Sequence, residues 1–391
     1  MKIAICGPVS IPDTLRWLNL QEPPTEHFTT NFGSNSVTFL VEGLLESGHE
    51  VVVVALDASV NSDVRLVGDR LTLRVGPYRK QHRARDFFKE ERAAIERALR
   101  EEQPDIVHAQ WTYEYALGAM ASKIPTVVTV RDWAPTILRW HTHPYRMVRL
   151  AMNWRTLTTA QHLTTVSPEM AARVSRFLRR DIPVIPNALP DRRFGRAKTE
   201  LDLQCPNIIA VNNGFSRFKN VKKLMEAFPR VRSILPSCSL ELLGHDFGPD
   251  GPAERWAQGR KIAEGIRFRG PLSPVACDEA IGRSDLLVHP SLEESFGMVL
   301  VEAMARGVPV VGGRDSGAVP WVLDHGRAGI LTDVRSSNEI ADSIISVLQS
   351  RKRWLELSDA GYQRAEEYFH LSVVTEAYVN VYERAHPAAN D

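Results

Sequence analysis

HPSLEESFGMVLVEAMARGVPVVGG, His289 to Gly313, is the stretch whose reading decides the fold. The apolar run at 285–288 predicts a buried strand, and the polar segment at 291–297 has turn composition. Residues 298–306 have helical spacing, Gly307 stops the helix, and the apolar run at 308–311 predicts a second strand. A strand, loop, helix, strand unit of this kind builds parallel sheets. A loop feeding a helix N-terminus presents unpaired backbone N–H groups and about half a positive charge, which suits a phosphate. Glu294 in the loop and Glu302 in the helix stand eight positions apart. Carboxylates repel phosphate, so a ligand here should carry hydroxyls on both sides of it, as a sugar nucleotide does.

The alternation continues in both directions. A strand is expected at 207–212, then a polar loop containing Arg217, Lys219 and Asn220, then an amphipathic helix at 221–234. Strands at 240–244 and 266–270 and helices at 337–348, 353–368 and 372–384 follow the same rhythm. Toward the N-terminus, a strand at 2–6 ends at Gly7 and Pro8. A long proline-containing loop then leads to Gly33, Ser34, Asn35 and Ser36, before a helix at 37–46 that Gly48 closes. Strands at 50–56, 105–108, 126–130, 162–167 and 183–187 and a charged helix at 84–102 complete this half. The basic cluster Arg79, Lys80, Arg83 and Arg85 reads as a solvated face or an anionic binding patch. Residues beyond the ends of parallel strands line the ligand edge of open α/β sheets. Here these are Gln110, Trp111, Tyr113 and Glu114 in one place and Arg131 and Asp132 in another.

The chain has 391 residues, 43% hydrophobic and 24% charged, which suits two globular domains of similar size. A formal net charge of +1 argues against a nucleic-acid partner recognised by overall charge. Cys6, Cys205, Cys238 and Cys277 lack paired spacing and read as buried thiols in a reducing compartment. No secretory signal or spanning segment is legible, so a cytoplasmic location is expected. From Trp133 to Arg155, aromatic residues mix with Arg139, Arg146, Arg149 and Arg155. That suits peripheral membrane contact through 133–155 or an aromatic acceptor platform; the alternative is two helices with Trp inside and Arg outside.

The quoted stretch resembles the signature of the retaining glycosyltransferases of family 4, which have the GT-B fold. That signature is Pro-Ser-x-x-Glu-x-Phe-Gly followed by Glu-Ala-Met-Ala-x-Gly-x-Pro-Val. It is met here by Pro290, Ser291, Glu294, Phe296 and Gly297, then Glu302, Ala303, Met304, Ala305, Gly307, Pro309 and Val310. The resemblance implies an α/β GT-B protein, two Rossmann-like domains with mostly parallel sheets facing across a cleft. It implies an acceptor domain at 1–190 to which a C-terminal helix at 370–391 returns, a linker to about Lys198, and a nucleotide-sugar domain at 198–369.

The resemblance also implies the roles. Glu302 would accept hydrogen bonds from ribose hydroxyls, and Glu294 would hold hydroxyls of the transferred sugar. Lys219, with Arg217 as substitute for an arginine that Phe215 displaces, would bind the diphosphate. The backbone around Ser295, Phe296, Gly297 and Met298, and the glycine loop at Gly33, would add donors to it. The leaving phosphate would take the acceptor's proton, so no protein base and no metal or other cofactor is expected. Where the family commonly has imidazoles, this chain has Gln110 and Arg131; Arg131 can offer donors to a phosphate or a sugar hydroxyl and cannot act as a base. Trp321 stands where a glutamate is common. The function implied is hexosyl transfer from a nucleotide-diphosphate sugar to an unidentified acceptor, with retained configuration. The alternatives are a non-catalytic nucleotide-sugar binder or partner protein, and an epimerase or synthase of the same fold.

Overall fold

The computed structural model describes residues 1–18, 20, 28 and 35–386. Internal packing divides the chain into one unit of Met1–Ala188 with Leu371–Asp391 and a second of Leu189–His370. The residues up to Lys198, whose composition reads as a linker, pack within the second unit. Arg193 pairs with Asp278 at 3.3 Å, Arg196 with Asp359, and Lys198 with the buried Asp285.

The first unit holds a seven-stranded sheet of β1 (Lys2–Cys6), β2 (Glu50–Asp57), β3 (Val64–Val67), β4 (Leu71–Pro77), β5 (Ile106–Gln110), β6 (Thr126–Val130) and β7 (His162–Thr165), in the order β3-β4-β2-β1-β5-β6-β7. Every pairing is parallel except β3 with β4. Helices cover both faces of a parallel sheet, so its strands read as unbroken apolar runs. Val51 to Val54 are at most 2% exposed. The hairpin of β3 and β4 escapes a reading by periodicity because arginines interrupt it. Arg74 is nevertheless buried, held by Glu101 at 2.6 Å and Glu102 at 2.9 Å.

Three other sequence expectations change. Residues 183–187 form no strand, only a bridge from Thr165 to Val184, since Pro183 and Pro186 lack the donors a ladder needs. The charged helix starts at Lys89, after a 3-10 turn at Arg83–Asp86 and two residues, Phe87 and Phe88, in the left-handed region. Of the basic cluster, Arg79 is spent on Asp86, Glu90 and Glu91 at 2.8, 3.1 and 2.6 Å, and Arg83 lies 4.4 Å from the Tyr78 ring centroid.

The C-terminal helix Leu371–Ala385 belongs to the first unit and lies against the helix Asn35–Glu46. Gly43 permits the contact: a Cβ there would stand 2.1 Å from Thr375 Oγ1. Buried Tyr378 and Tyr382 carry the helix into the sheet, where Tyr382 Oη meets His108 Nδ1 at 2.6 Å.

The second unit holds six parallel strands, β8 (Asn207–Val211), β9 (Ser239–Leu243), β10 (Ile266–Gly270), β11 (Leu286–His289), β12 (Val310–Gly313) and β13 (Ile330–Thr332), in the order β10-β9-β8-β11-β12-β13. Leu224, Phe228, Leu240, Leu286, Ile344 and Trp354 are among its fully buried core. Leaving aside the antiparallel edge strand β3, the strand order of each sheet reverses once, between β1 and β5 and between β8 and β11. Loops leaving the carboxyl ends of such neighbours part in opposite directions and leave a crevice.

Of the cysteines, Cys6 and Cys238 are buried, but Cys205 is exposed. It sits in a turn where Asp202 Oδ1 accepts from the N–H of Gln204 and of Cys205.

Candidate functional site

Two loops leave the second unit's switch point. One follows β8 and runs to the helix Val221–Ile234; the other follows β11 and runs to the helix Met298–Ala305. They are tied backbone to backbone, Leu292 N–H donating to Phe218 O at 3.0 Å. Asn220 adds a side-chain tie by donating to Pro290 O at 3.0 Å and Val334 O at 2.7 Å. Gly317 fits close beneath the second loop, where a Cβ would meet Glu294 O at 2.3 Å. Gly297 caps the helix Met298–Ala305 at φ +92°, a conformation that a side chain would strain.

This scaffold brings Lys219 onto Glu294, with Nζ 2.7 Å from Oε1. His289, at the end of β11, approaches the same oxygen with Nε2 at 3.1 Å. A carboxylate only accepts, so His289 donates from Nε2. Glu294 Oε2 has no partner among the described residues, and the side chain keeps 14% of its exposure. Burial pushes its pKa up, but the His289 hydrogen bond and the Lys219 ammonium outweigh burial and hold it at about 2 against an ordinary 4.5.

Glu302 lies on the second turn, half-buried, and its side chain makes no hydrogen bond with any described residue. Burial raises its pKa, Arg193 opposes the rise and Asp278 adds to it. Met298 opens the helix. Phe296 is 2% exposed, with ring centroids 5.5 Å from Phe369 and 6.3 Å from Trp321, so only its backbone is available to a ligand. Trp321 thus fills a hydrophobic cluster where the family commonly has glutamate. Ser295 is half-buried, and Arg217 is exposed without a partner among the described residues. Phe215 packs on Phe247 and Trp256, and Asp246 Oδ2 accepts its N–H at 3.0 Å. His289 and Asp246 carry no spacing signal; their positions, at the end of one strand and just beyond another, are the one clue in the sequence. Gly33 lies outside the described residues.

In the first unit, Arg131 is buried. Its Nε donates to Gln110 Oε1 at 2.6 Å, and its Nη1 donates to Ser36 Oγ at 3.1 Å and to Asn187 Oδ1. Gln110 Nε2 in turn approaches His108, whose Nε2 meets Thr129 Oγ1 at 2.6 Å. The guanidinium expected to serve a ligand is therefore largely engaged as an internal strut, with Nη2 alone uncommitted among the described residues. No group of three or more His, Cys, Asp or Glu suited to a metal occurs among the described residues.

Residues 191–364 match the family model for glycosyl transferases group 1, and residues 33–193 match that for glycosyltransferase family 4. The chain belongs to glycosyltransferase family 4. N-acetyl-alpha-D-glucosaminyl L-malate synthase of Bacillus anthracis, a family 4 relative, is 26% identical over 299 residues, 72% of this chain and 75% of that protein. Several further relatives match over less than half of their own length. The fold is that of sucrose-phosphate synthase from Thermosynechococcus elongatus, at TM-score 0.79 and 17% identity over 99% of this chain and 100% of that one. HepE of Anabaena, solved with UDP-glucose, is similar at TM-score 0.67 and 16% identity over 98% and 100%. Family 4 membership makes this chain a glycosyltransferase of the GT-B fold, in a family that retains anomeric configuration, and disfavours the epimerase and non-catalytic readings. No helix among the described residues is long and apolar enough to cross a membrane.

Proposed function

We propose that the second unit binds a nucleoside-diphosphate sugar at its switch point and gives up the hexosyl group with retention, without a metal ion, to an acceptor recognised by the first unit. The observation that carries this reading is the Lys219–Glu294 pair, which leaves one carboxylate oxygen open beside the N-terminus of the helix Met298–Ala305. Glu294 Oε2 accepts from hydroxyls of the transferred sugar. Lys219 carries three donors, so it can keep Glu294 and reach the diphosphate at once. With Arg217 and the N–H groups of Gly297 and Met298, it stabilises the charge that grows on the departing phosphate, where each oriented donor is worth roughly 3–4 kcal/mol. Glu302, whose side chain has no hydrogen-bond partner among the described residues, accepts from the ribose hydroxyls. HepE's complex with UDP-glucose supports this donor class by likeness of fold.

Calorimetry with free nucleotide and with nucleotide sugar tests the division of labour. Glu302→Gln should weaken both ligands about tenfold, whereas Glu294→Ala should spare the nucleotide and weaken the sugar-bearing donor. Equal losses for both ligands in both variants would overturn it.

Peripheral contact with an anionic membrane through 133–155 is a second reading. The segment forms two helices, Ala134–Trp140 and Pro144–Thr159, and inverts the expected pattern at two positions. Trp154 is 57% exposed, in line on the helix surface with exposed Met147 and Ala151, while Arg149 is drawn inward to Glu114. The exposed Trp154 and Met147, beside Arg155 and the half-buried Arg146, favour this reading; Arg149 takes no part in it.

A further inference from the structure

A cavity of about 220 Å³ opens within the first unit, beyond the carboxyl ends of β1, β2, β4 and β5 and so at that sheet's switch point. It is smaller than the roughly 300–1,000 Å³ usual for drug-sized ligands, which limits it to about one ring. Tyr78, Trp111 and Tyr113 form aromatic walls, and Val9 and Leu56 are aliphatic ones. Trp111 stands in the left-handed region at φ +64°, a conformation that a bulky aromatic rarely adopts and that the fold maintains at the cavity.

The polar groups are unevenly signed. Glu114, 4% exposed, gives one carboxylate oxygen to Arg149, while Oε1 has no partner among the described residues. Asp57 is a second carboxylate in the lining. Arg149 is the single cation of the lining among the described residues. It is neutralised by Glu114 and stacked on Tyr113, its guanidinium carbon 3.5 Å from the ring centroid. The Tyr78 hydroxyl has no hydrogen-bond partner among the described residues. An anion entering here would face two carboxylates and would have to strip Arg149 from its partner. A neutral ring would meet flat aromatic faces for its C–H surface, a free carboxylate oxygen that accepts a hydroxyl, and a phenol that can donate or accept.

We propose that this cavity binds the acceptor, and that the acceptor ring is an uncharged sugar or cyclic polyol, not a phosphorylated or carboxylated one. This rests on the reading of the chain as a glycosyltransferase and deepens it by naming the acceptor class.

The test uses the full chain without donor. Saturation-transfer NMR would measure the affinities of methyl glucoside, methyl galactoside, methyl mannoside and myo-inositol, each beside its monophosphate. The glycoside and cyclitol arms separate the two sources of a neutral ring. At least one neutral ring should bind, with its monophosphate at least tenfold weaker. Trp111→Ala and Tyr78→Phe should each weaken that ring at least fivefold while leaving UDP affinity within twofold of the parent. Tyr78→Phe removes one oxygen and keeps the packing, so its effect is not one of folding. A monophosphate that binds as tightly as the neutral ring, no neutral ring binding at all, or affinities untouched by both variants would each overturn the proposal. Absence of binding by UDP, ADP and GDP alike in the parent chain would instead count against the donor reading and leave the ring measurement standing.

Discussion

Replacing Lys219 by Met removes one charge from the Lys219–Glu294 pair and keeps the aliphatic stem that packs beneath it. The size of the effect follows from the carboxylate. An ordinary pKa of 4.5 held down to about 2 corresponds to about 3 kcal/mol favouring the ionised form in the folded chain. His289 and Lys219 share that stabilisation, and the pair is 14–20% exposed. Lys219's part should lie between an exposed pair and a buried one, at about 1.5–2 kcal/mol. The sign follows from the depression. Glu294 contributes its full stabilisation above about pH 4.5, where it is ionised folded or unfolded, and loses it as pH falls toward 2. In Lys219→Met its pKa should climb back toward 4.5, so less stabilisation is there to lose and the fall in stability below pH 4.5 should become shallower. The assay is a double-mutant cycle of Lys219→Met and Glu294→Gln, read by urea unfolding at pH 7 and again at pH 4, with the Glu294 carboxyl followed by carbon NMR. A coupling below 0.5 kcal/mol at pH 7, or a carboxyl that titrates identically in parent and variant, would refute the reasoning.

Two more outcomes are expected. Arg131→Lys should destabilise the first unit by about 2–4 kcal/mol, since an ammonium cannot reach Gln110, Ser36 and Asn187 in the guanidinium's geometry; an unchanged urea midpoint would show that Arg131 is not the strut described. Trp154→Ser combined with Arg155→Glu should reduce cosedimentation with anionic vesicles at least fivefold, with Arg283→Glu in the second unit as control; equal binding by parent, variant and control would remove the membrane reading.

The alternation of apolar runs with helical spacing was enough to recover both sheets except β3, β4 and the three-residue edge strand β13, and it put the bounds of the helix Val221–Ile234 and of β10 where the structure has them. These features are local: a run of β-branched residues or a glycine stop acts on its own few neighbours whatever the rest of the chain does. The motif around Glu294 and Glu302 was legible for the same reason, since its loop, cap and helix are consecutive. Sequence spacing could not say which distant side chains meet. Lys219 and Glu294 lie 75 residues apart and touch because β8 and β11 are adjacent in the sheet, an order set by the crossovers and not by either loop. The same strand adjacency turns Arg131 onto Gln110, since β5 and β6 run side by side. Arg149 turned inward and Trp154 outward reverse what residue type predicts, because Glu114 and Tyr113 offer the cation its charge and its ring, whereas the indole meets the edge of Phe177 at 4.6 Å between centroids and stays 57% exposed. Sequence alone determined the elements and the chemistry each loop carries. Tertiary structure decided which charges are spent on one another and which remain for a ligand, because desolvation and pairing are properties of neighbours in space.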